Sequence, residues 1–216
     1  MGVLKTVLGA GALSAALAFA GHASAGIIPY PNAGTVNPDV YTFTAQSTGD
    51  IIAYFAGSDA SLEENIGLWI NGVSTGITGL NNHTSSVGDS VNLGHANAGD
   101  TLVFAMYIPP ANGLPLPPPT WVSDPTGNSD GTQHIYSTSV VAGQAYAGSP
   151  AGTYVGWEDL PASGADFDYN DDQYVFVNVS TAVPEAWTWA MMLAGFGGLA
   201  FAAFRRTRRT RLSAIA

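Results

Sequence analysis

The chain has 216 residues, a length that suits one medium-sized domain. Apolar residues make up 46% of it and charged residues only 10%, a composition that favours a folded core over disorder. All six basic residues lie near the ends, at position 5 and from position 205 onward, whereas fifteen of the sixteen acidic residues fall within residues 26–182. Phosphate binding requires lysine or arginine, so nucleic acid is excluded as a partner of this acidic segment, and metal cations are its natural counter-charge.

The first 25 residues have the features of an export signal. Lys5 precedes an apolar run over residues 7–20, and small residues follow at Ala23 and Ala25. This small-x-small pattern marks a signal-peptidase site and predicts cleavage after Ala25, with a buried N-terminal helix as the alternative. Export permits disulfides, yet the chain has no cysteine, so stabilisation beyond that of the core must come from metal or partners.

Residues 26–182 have the pattern of short strands separated by turn residues about every 8–12 positions, which predicts an antiparallel β-sandwich of the jelly-roll-like kind. No convincing amphipathic helix interrupts them. Asn71-Gly72 is the strongest short hairpin signal. The proline-rich stretch 109–131 is predicted to be one long loop. The candidate strands are residues 40–44, 51–55, 68–70, 91–93, 101–108, 134–140, 153–157 and 174–179.

An acidic element near the end of this segment is the candidate metal site. If residues 166–170 are extended, Asp166, Asp168 and Asn170 share one face, and calcium takes six to eight such oxygen ligands. The element is not an EF-hand, because its sixth position is Asp171 instead of glycine and its twelfth is Val177 instead of glutamate. The predicted calcium ligands are Glu158, Asp159, Asp166, Asp168, Asn170, Asp171 and Asp172.

Two alternatives to calcium remain open at this element. One is a solvated acidic turn. The other is glycoside hydrolysis by paired carboxylates such as Glu158 and Asp166, whose separation the sequence cannot supply. Softer metals are disfavoured because there is no cysteine and the histidines lack ligand spacing. No nucleophile signature is present, so we expect no enzymatic activity.

The C-terminal segment, residues 183–216, has the features of a sorting tail. Residues 186–204 carry no charge over nineteen positions, about the length of a bilayer span, and arginines follow, which keeps that end cytoplasmic. A simple membrane anchor would have these features too. The tail resembles the PEP-CTERM sorting signal of Gram-negative bacteria, although Ala186 stands where that family has proline, which leaves cleavage of the span open. The matching residues are Pro184, Glu185, Trp189, Ala190, Met191, Met192, Leu193, Gly195, Arg205 and Arg206.

Most of residues 36–180 is similar to a group of PEP-CTERM ectodomains. Phrases such as Gly67-Leu-Trp-Ile-Asn-Gly-Val and Ala98-Gly-Asp-Thr-Leu-Val-Phe carry the likeness, together with Glu158-Asp-Leu and Asp166-Phe-Asp-Tyr-Asn-Asp. The final element is shared with a wider family of bacterial extracellular domains of unknown function. The resemblance implies a β-sandwich often associated with calcium, no assigned enzymatic activity, and a tail that an exosortase reads and cleaves.

These features predict an exported structural or adhesive protein of the cell surface or the exopolysaccharide (biofilm) matrix. Its partners during export would be signal peptidase and an exosortase, with transient anchoring in the inner membrane and an exopolysaccharide as a candidate matrix partner. The alternative is a secreted polysaccharide-binding or polysaccharide-cleaving module, in which Trp69, Trp121 and Trp157 would be exposed for stacking on sugars.

Overall fold

The computed structural model describes residues 28–109 and 117–182, together with the single position Phe196. The predicted signal peptide lies outside these residues, as does the predicted span apart from Phe196. Within the part of the chain that is described, no helix is long and apolar enough to cross a membrane.

Eleven strands and one short 3₁₀ turn at Pro125–Gly127 make up the regular structure of the described ranges. In chain order the strands are β1 (Thr42–Ala45), β2 (Gly49–Ser58), β3 (Asn65–Ile70), β4 (Val73–Gly79), β5 (Ser90–Ala96), β6 (Thr101–Tyr107), β7 (Trp121–Val122), β8 (Ile135–Val140), β9 (Gly152–Trp157), β10 (Asp172–Val177) and β11 (Val179–Ala182).

The strands form two antiparallel sheets, as the sequence predicts. The first sheet has the order β11-β1-β6-β3-β4, with β7 paired to β6, and the second has the order β5-β2-β10-β9-β8. Their inner faces meet in one apolar core, where the ring of Phe104 in β6 stacks on that of Phe176 in β10 with centroids 3.8 Å apart. Burying each large apolar side chain there stabilises the fold by about 1.5–3 kcal/mol.

The Asn71-Gly72 hairpin prediction is confirmed. Both residues have positive φ, 52° and 79°, as the favoured two-residue hairpin turns require, and Ile70 pairs directly with Val73 across the turn. The turn therefore fixes the register of β3 against β4.

Two predicted elements are wrong. The stretch 109–131 is not one loop, because Trp121 and Val122 form β7 and pair with β6. Residues 174–179 are not one strand, because Asn178 takes a φ of 67° and separates β10, in the second sheet, from β11, in the first. The Asn178 side chain stabilises this break by accepting hydrogen bonds of 2.8 and 2.7 Å from the backbone N–H and hydroxyl of Ser47.

Candidate metal centre

The acidic loop, defined here as residues 158–171, connects the neighbouring strands β9 and β10. Its ends meet where Trp157 pairs with Asp172 and where the Asp171 N–H donates to the Trp157 carbonyl at 3.1 Å. A turn at Pro161 folds the chain back, so that the Asp166 N–H donates to Glu158 Oε1 at 3.3 Å. The loop therefore returns onto Glu158.

Three carboxylates of this loop lie close together and are called the outer triad: Glu158, Asp166 and Asp168. One oxygen of each lies within 4.8 Å of those of the other two. Glu158 is buried, Asp168 is half-buried and Asp166 is exposed, so the group opens toward solvent on one side. Among residues 28–109 and 117–182, no other set of three acidic, histidine or cysteine side chains meets this spacing.

The backbone of the acidic loop is not extended, contrary to the sequence-based expectation. Phe167 and Tyr169 have φ values of 54° and 57°, in the left-handed region that non-glycine residues rarely adopt. Asp166 and Asp168 still converge. Asn170 does not lie with them as a third ligand. It donates hydrogen bonds to Asp168 from its backbone N–H at 3.1 Å and from Nδ2 at 2.5 Å.

Tyr169 anchors the loop to the body of the domain. Its side chain is almost fully buried, and its ring packs edge-on against Tyr30 with centroids 4.8 Å apart. The hydroxyl accepts a 2.8 Å hydrogen bond from the Asn37 N–H and donates to the Gln133 carbonyl at 3.1 Å. These contacts hold the strained backbone and fix the positions of the acids on either side.

The outer triad carries charge that nothing in the surrounding sequence neutralises. Glu158 is 1% exposed, and its burial, with the charges of Asp171 and Asp166, raises its pKa to about 8. Burial also raises the pKa of Asp168, with Asp166 adding repulsion. Glu158 Oε2 is buried without a hydrogen-bond partner. An orphaned carboxylate oxygen beside two more carboxylates fits a hard divalent cation, which would supply the missing partner.

The remaining predicted ligands do not join the outer triad. Asp159 and Asp172 are buried, and half-buried Asp171 accepts the Asp159 N–H at Oδ2 at 2.9 Å. Burial raises the pKa of Asp171 to about 6, with Asp159 adding repulsion. Asp172, at 0% exposed, has its pKa raised well above the ordinary range by burial and by the charge of Glu64. These four residues are called the inner cluster: Glu64, Asp159, Asp171 and Asp172.

Glu64 is a member of the inner cluster that the sequence reasoning missed. It lies just before β3, far along the chain from the acidic loop, and it is 1% exposed. Its burial, with the charges of Asp159 and Asp171, raises its pKa to about 7. The available signal was alternation: Glu64 has the same phase as Ile66 and Leu68, both of which face the core.

The tryptophans proposed for sugar stacking are mostly inside the protein. Trp157 is fully buried, and Trp121 is buried with its ring stacked on His134 and its Nε1 donating to the Asp159 carbonyl at 2.7 Å. Trp69 is half-buried and donates to the Tyr107 hydroxyl at 2.6 Å. Trp121 and Trp157 therefore lack the exposure that the polysaccharide-module alternative requires.

The carboxylate oxygens of the outer triad are of the kind that hard cations prefer as ligands. Comparison of the chain with protein-family models, curated proteins and solved structures finds no match.

Proposed function

We propose that the protein is an exported β-sandwich of the cell surface or extracellular matrix, with a structural or adhesive role, whose acidic loop is rigidified by calcium. The observation that carries this proposal is the outer triad, with three carboxylates converging within 4.8 Å in a segment that has no lysine or arginine. Like charges this close repel each other unless a cation lies among them.

Calcium is the cation that suits this site best. Carboxylate, amide and carbonyl oxygens are its preferred ligands, and it accepts irregular geometry with six to eight of them. Glu158, Asp166 and Asp168 would hold it. Magnesium demands near-octahedral geometry and gives up water reluctantly, so it should bind less well. The role of the ion would be to fix the conformation of the loop.

The export and sorting parts of the proposal are supported by the sequences of the two ends of the chain. Signal peptidase would remove residues 1–25, and an exosortase would cleave the tail that resembles a PEP-CTERM signal. The strands from the two ends of the domain pair with each other, β1 with β11 and β2 with β10, and this pairing is consistent with a jelly-roll-like sandwich. The polysaccharide-module alternative loses two of its three stacking residues to the core, so we do not advance it.

Intact-mass measurement of the protein from its native host tests the sorting half of the proposal. The matrix fraction should contain a chain that lacks residues 1–25 and the arginine-bearing tail. Deleting the exosortase gene should leave the tail in place and the protein in the inner membrane. Recovery of the full-length tail from the matrix fraction would contradict the sorting proposal.

Limited proteolysis with chymotrypsin, which cleaves after aromatic residues such as Phe167 of the acidic loop, tests the calcium half. Residues 158–171 should be cut more slowly in millimolar calcium than after chelation, because an ordered loop is a poor protease substrate. The same comparison in the Asp168→Asn variant should show little calcium protection. Equal cutting rates with and without calcium in the wild-type chain would contradict the proposal.

A further inference from the structure

Buried carboxylate oxygens without partners occur at the inner cluster as well as at the outer triad. Glu64 is 1% exposed, Asp159 is 3% exposed and Asp172 is 0% exposed. The oxygens buried there without a hydrogen-bond partner are Glu64 Oε1, Glu64 Oε2, Asp159 Oδ2 and Asp172 Oδ1. Buried carboxylates normally have a hydrogen-bond donor or a counter-charge, so this concentration requires an explanation.

One side chain holds the two halves of the inner cluster together. Asn82 Oδ1 accepts the Glu64 N–H at 3.0 Å, and Asn82 Nδ2 donates to the Leu62 carbonyl at 2.8 Å and lies 3.5 Å from Asp172 Oδ2. The short hydrogen bonds of the Asn82 side chain are therefore made to backbone groups. This side chain positions Glu64 beside Asp172 and leaves the carboxylate oxygens for another partner.

The polypeptide around the cluster offers no cation of its own. Residues 26–182 contain no lysine or arginine. The loop between β2 and β3 closes the site on one side, where the Asp59 and Ala60 N–H groups donate to the Asp171 carbonyl at 3.1 and 3.2 Å. These donors satisfy the backbone of Asp171. The side chains of Ser58 and Thr120, which approach Asp172 and Glu64, bring no positive charge. Ionised carboxylates buried in this way are costly unless a cation or protons neutralise them.

We propose that the inner cluster is a second calcium site, distinct from the outer triad, with Glu64, Asp159 and Asp172 as its ligands. Four unpartnered oxygens supply part of the six to eight that calcium takes. The side chains of the cluster are spread more widely than those of the outer triad, so the ion would draw them together. Asp171 lies between the two groups through its contact with Asp159.

A cation at this position would join the two sheets at one end of the sandwich. Glu64 immediately precedes β3 of the first sheet, whereas Asp172 is the first residue of β10 in the second. Asp159 follows β9 and connects the site to the acidic loop. Calcium binding would therefore stabilise the packing of the sheets as well as the loop. The rival explanation is that shared protons alone neutralise the cluster.

Calcium stoichiometry separates these explanations. The full chain, purified in detergent and stripped of metal by chelation, is dialysed to equilibrium at pH 7.5 against radioactive calcium at increasing concentration. We expect two calcium ions per wild-type chain. Asp168→Asn should disable the outer triad and leave one ion, and Glu64→Gln should also leave one.

Glu63→Gln is the matched control, because Glu63 is the exposed neighbour of Glu64, and it should bind two ions. A wild-type stoichiometry of one that falls to zero in Asp168→Asn would overturn the inner site while leaving the proposed function intact. Because Asp168 is half-buried and near solvent, that variant decides the question even if Glu64→Gln fails to fold. One ion retained in Asp168→Asn and lost in a chain that also carries Asp172→Asn would support the inner site.

Discussion

The stability of the metal-free protein should fall as the pH rises, and substitution of Glu64 tests this expectation. Its folded-state pKa is raised by burial from 4.5 to about 7. A carboxyl with a raised folded-state pKa resists ionisation in the native state and not in the unfolded chain. The penalty is small below pH 4.5, grows as the pH passes from there to 7, and is complete above that range.

The expected size of the effect follows from the same values. Each pKa unit is worth about 1.4 kcal/mol, so a rise from 4.5 to about 7 costs the native state about 3 kcal/mol once Glu64 is ionised in both states. Part of this penalty is already present at pH 5, which leaves about 2 kcal/mol between pH 5 and pH 8. Burial shifts the pKa of Glu158 and Asp171 in the same direction, so the wild-type dependence should exceed this value.

Urea unfolding of the metal-stripped full chain at the two pH values measures the effect. A loss of about 2 kcal/mol lowers the midpoint by about 1 M urea at a typical slope. Glu64→Gln has the same shape without the charge, so its midpoint should depend less on pH by about this amount. Glu63→Gln, at the exposed neighbouring position, should keep the wild-type dependence. A metal-free midpoint that rose with pH, or a Glu64→Gln variant as pH-dependent as wild type, would refute this reasoning.

Two further predictions concern packing. Gly156→Ala would place a Cβ 2.2 Å from the Tyr169 carbonyl oxygen, so it should displace the acidic loop. It should destabilise the fold by about 1–3 kcal/mol and weaken calcium binding measured by calorimetry. The Cβ of Gly49→Ala meets no close backbone atom, so this control should change neither stability nor calcium binding. Phe104→Ala should cost about 3–5 kcal/mol in urea unfolding, because Phe104 is 0% exposed and stacks on Phe176, while calcium still binds; an unchanged midpoint would count against this core.

The strands could be predicted because their signals are local. The apolar runs around Phe104 and Phe176 and the turn chemistry of Asn71-Gly72 require no knowledge of distant residues. The break at Asn178 could not be predicted in this way. The asparagine is stabilised in its left-handed conformation by Ser47, which lies at the opposite end of the domain sequence.

The acidic site was predicted in part for the same reason. Asp166 and Asp168 are close in sequence, and a turn at Pro161 returns the chain to Glu158, so the outer triad follows from short-range spacing. The inner cluster depends on the packing of one sheet against the other. Glu64 joins it only because β3 and β10 meet at the same end of the sandwich, which spacing along the chain does not reveal.

The response of thermal stability to calcium tests the central claim most directly. The metal-stripped full chain is melted in calcium from zero to about 10 mM, above the range of roughly 10⁻⁴ to 10⁻³ M at which extracellular modules bind the ion. At about 10 mM, a tenfold to hundredfold excess over such Kd values, one bound ion adds about 1.4–2.7 kcal/mol, a rise of about 3–11 °C for a domain of this size. Calcium should raise the melting temperature of the wild type by at least this amount, and magnesium should raise it less. In Asp168→Asn, the part of the rise that comes from calcium at the outer triad should be lost. A melting temperature that calcium leaves unchanged over the whole range would contradict the account and leave the acidic loop as a solvated turn.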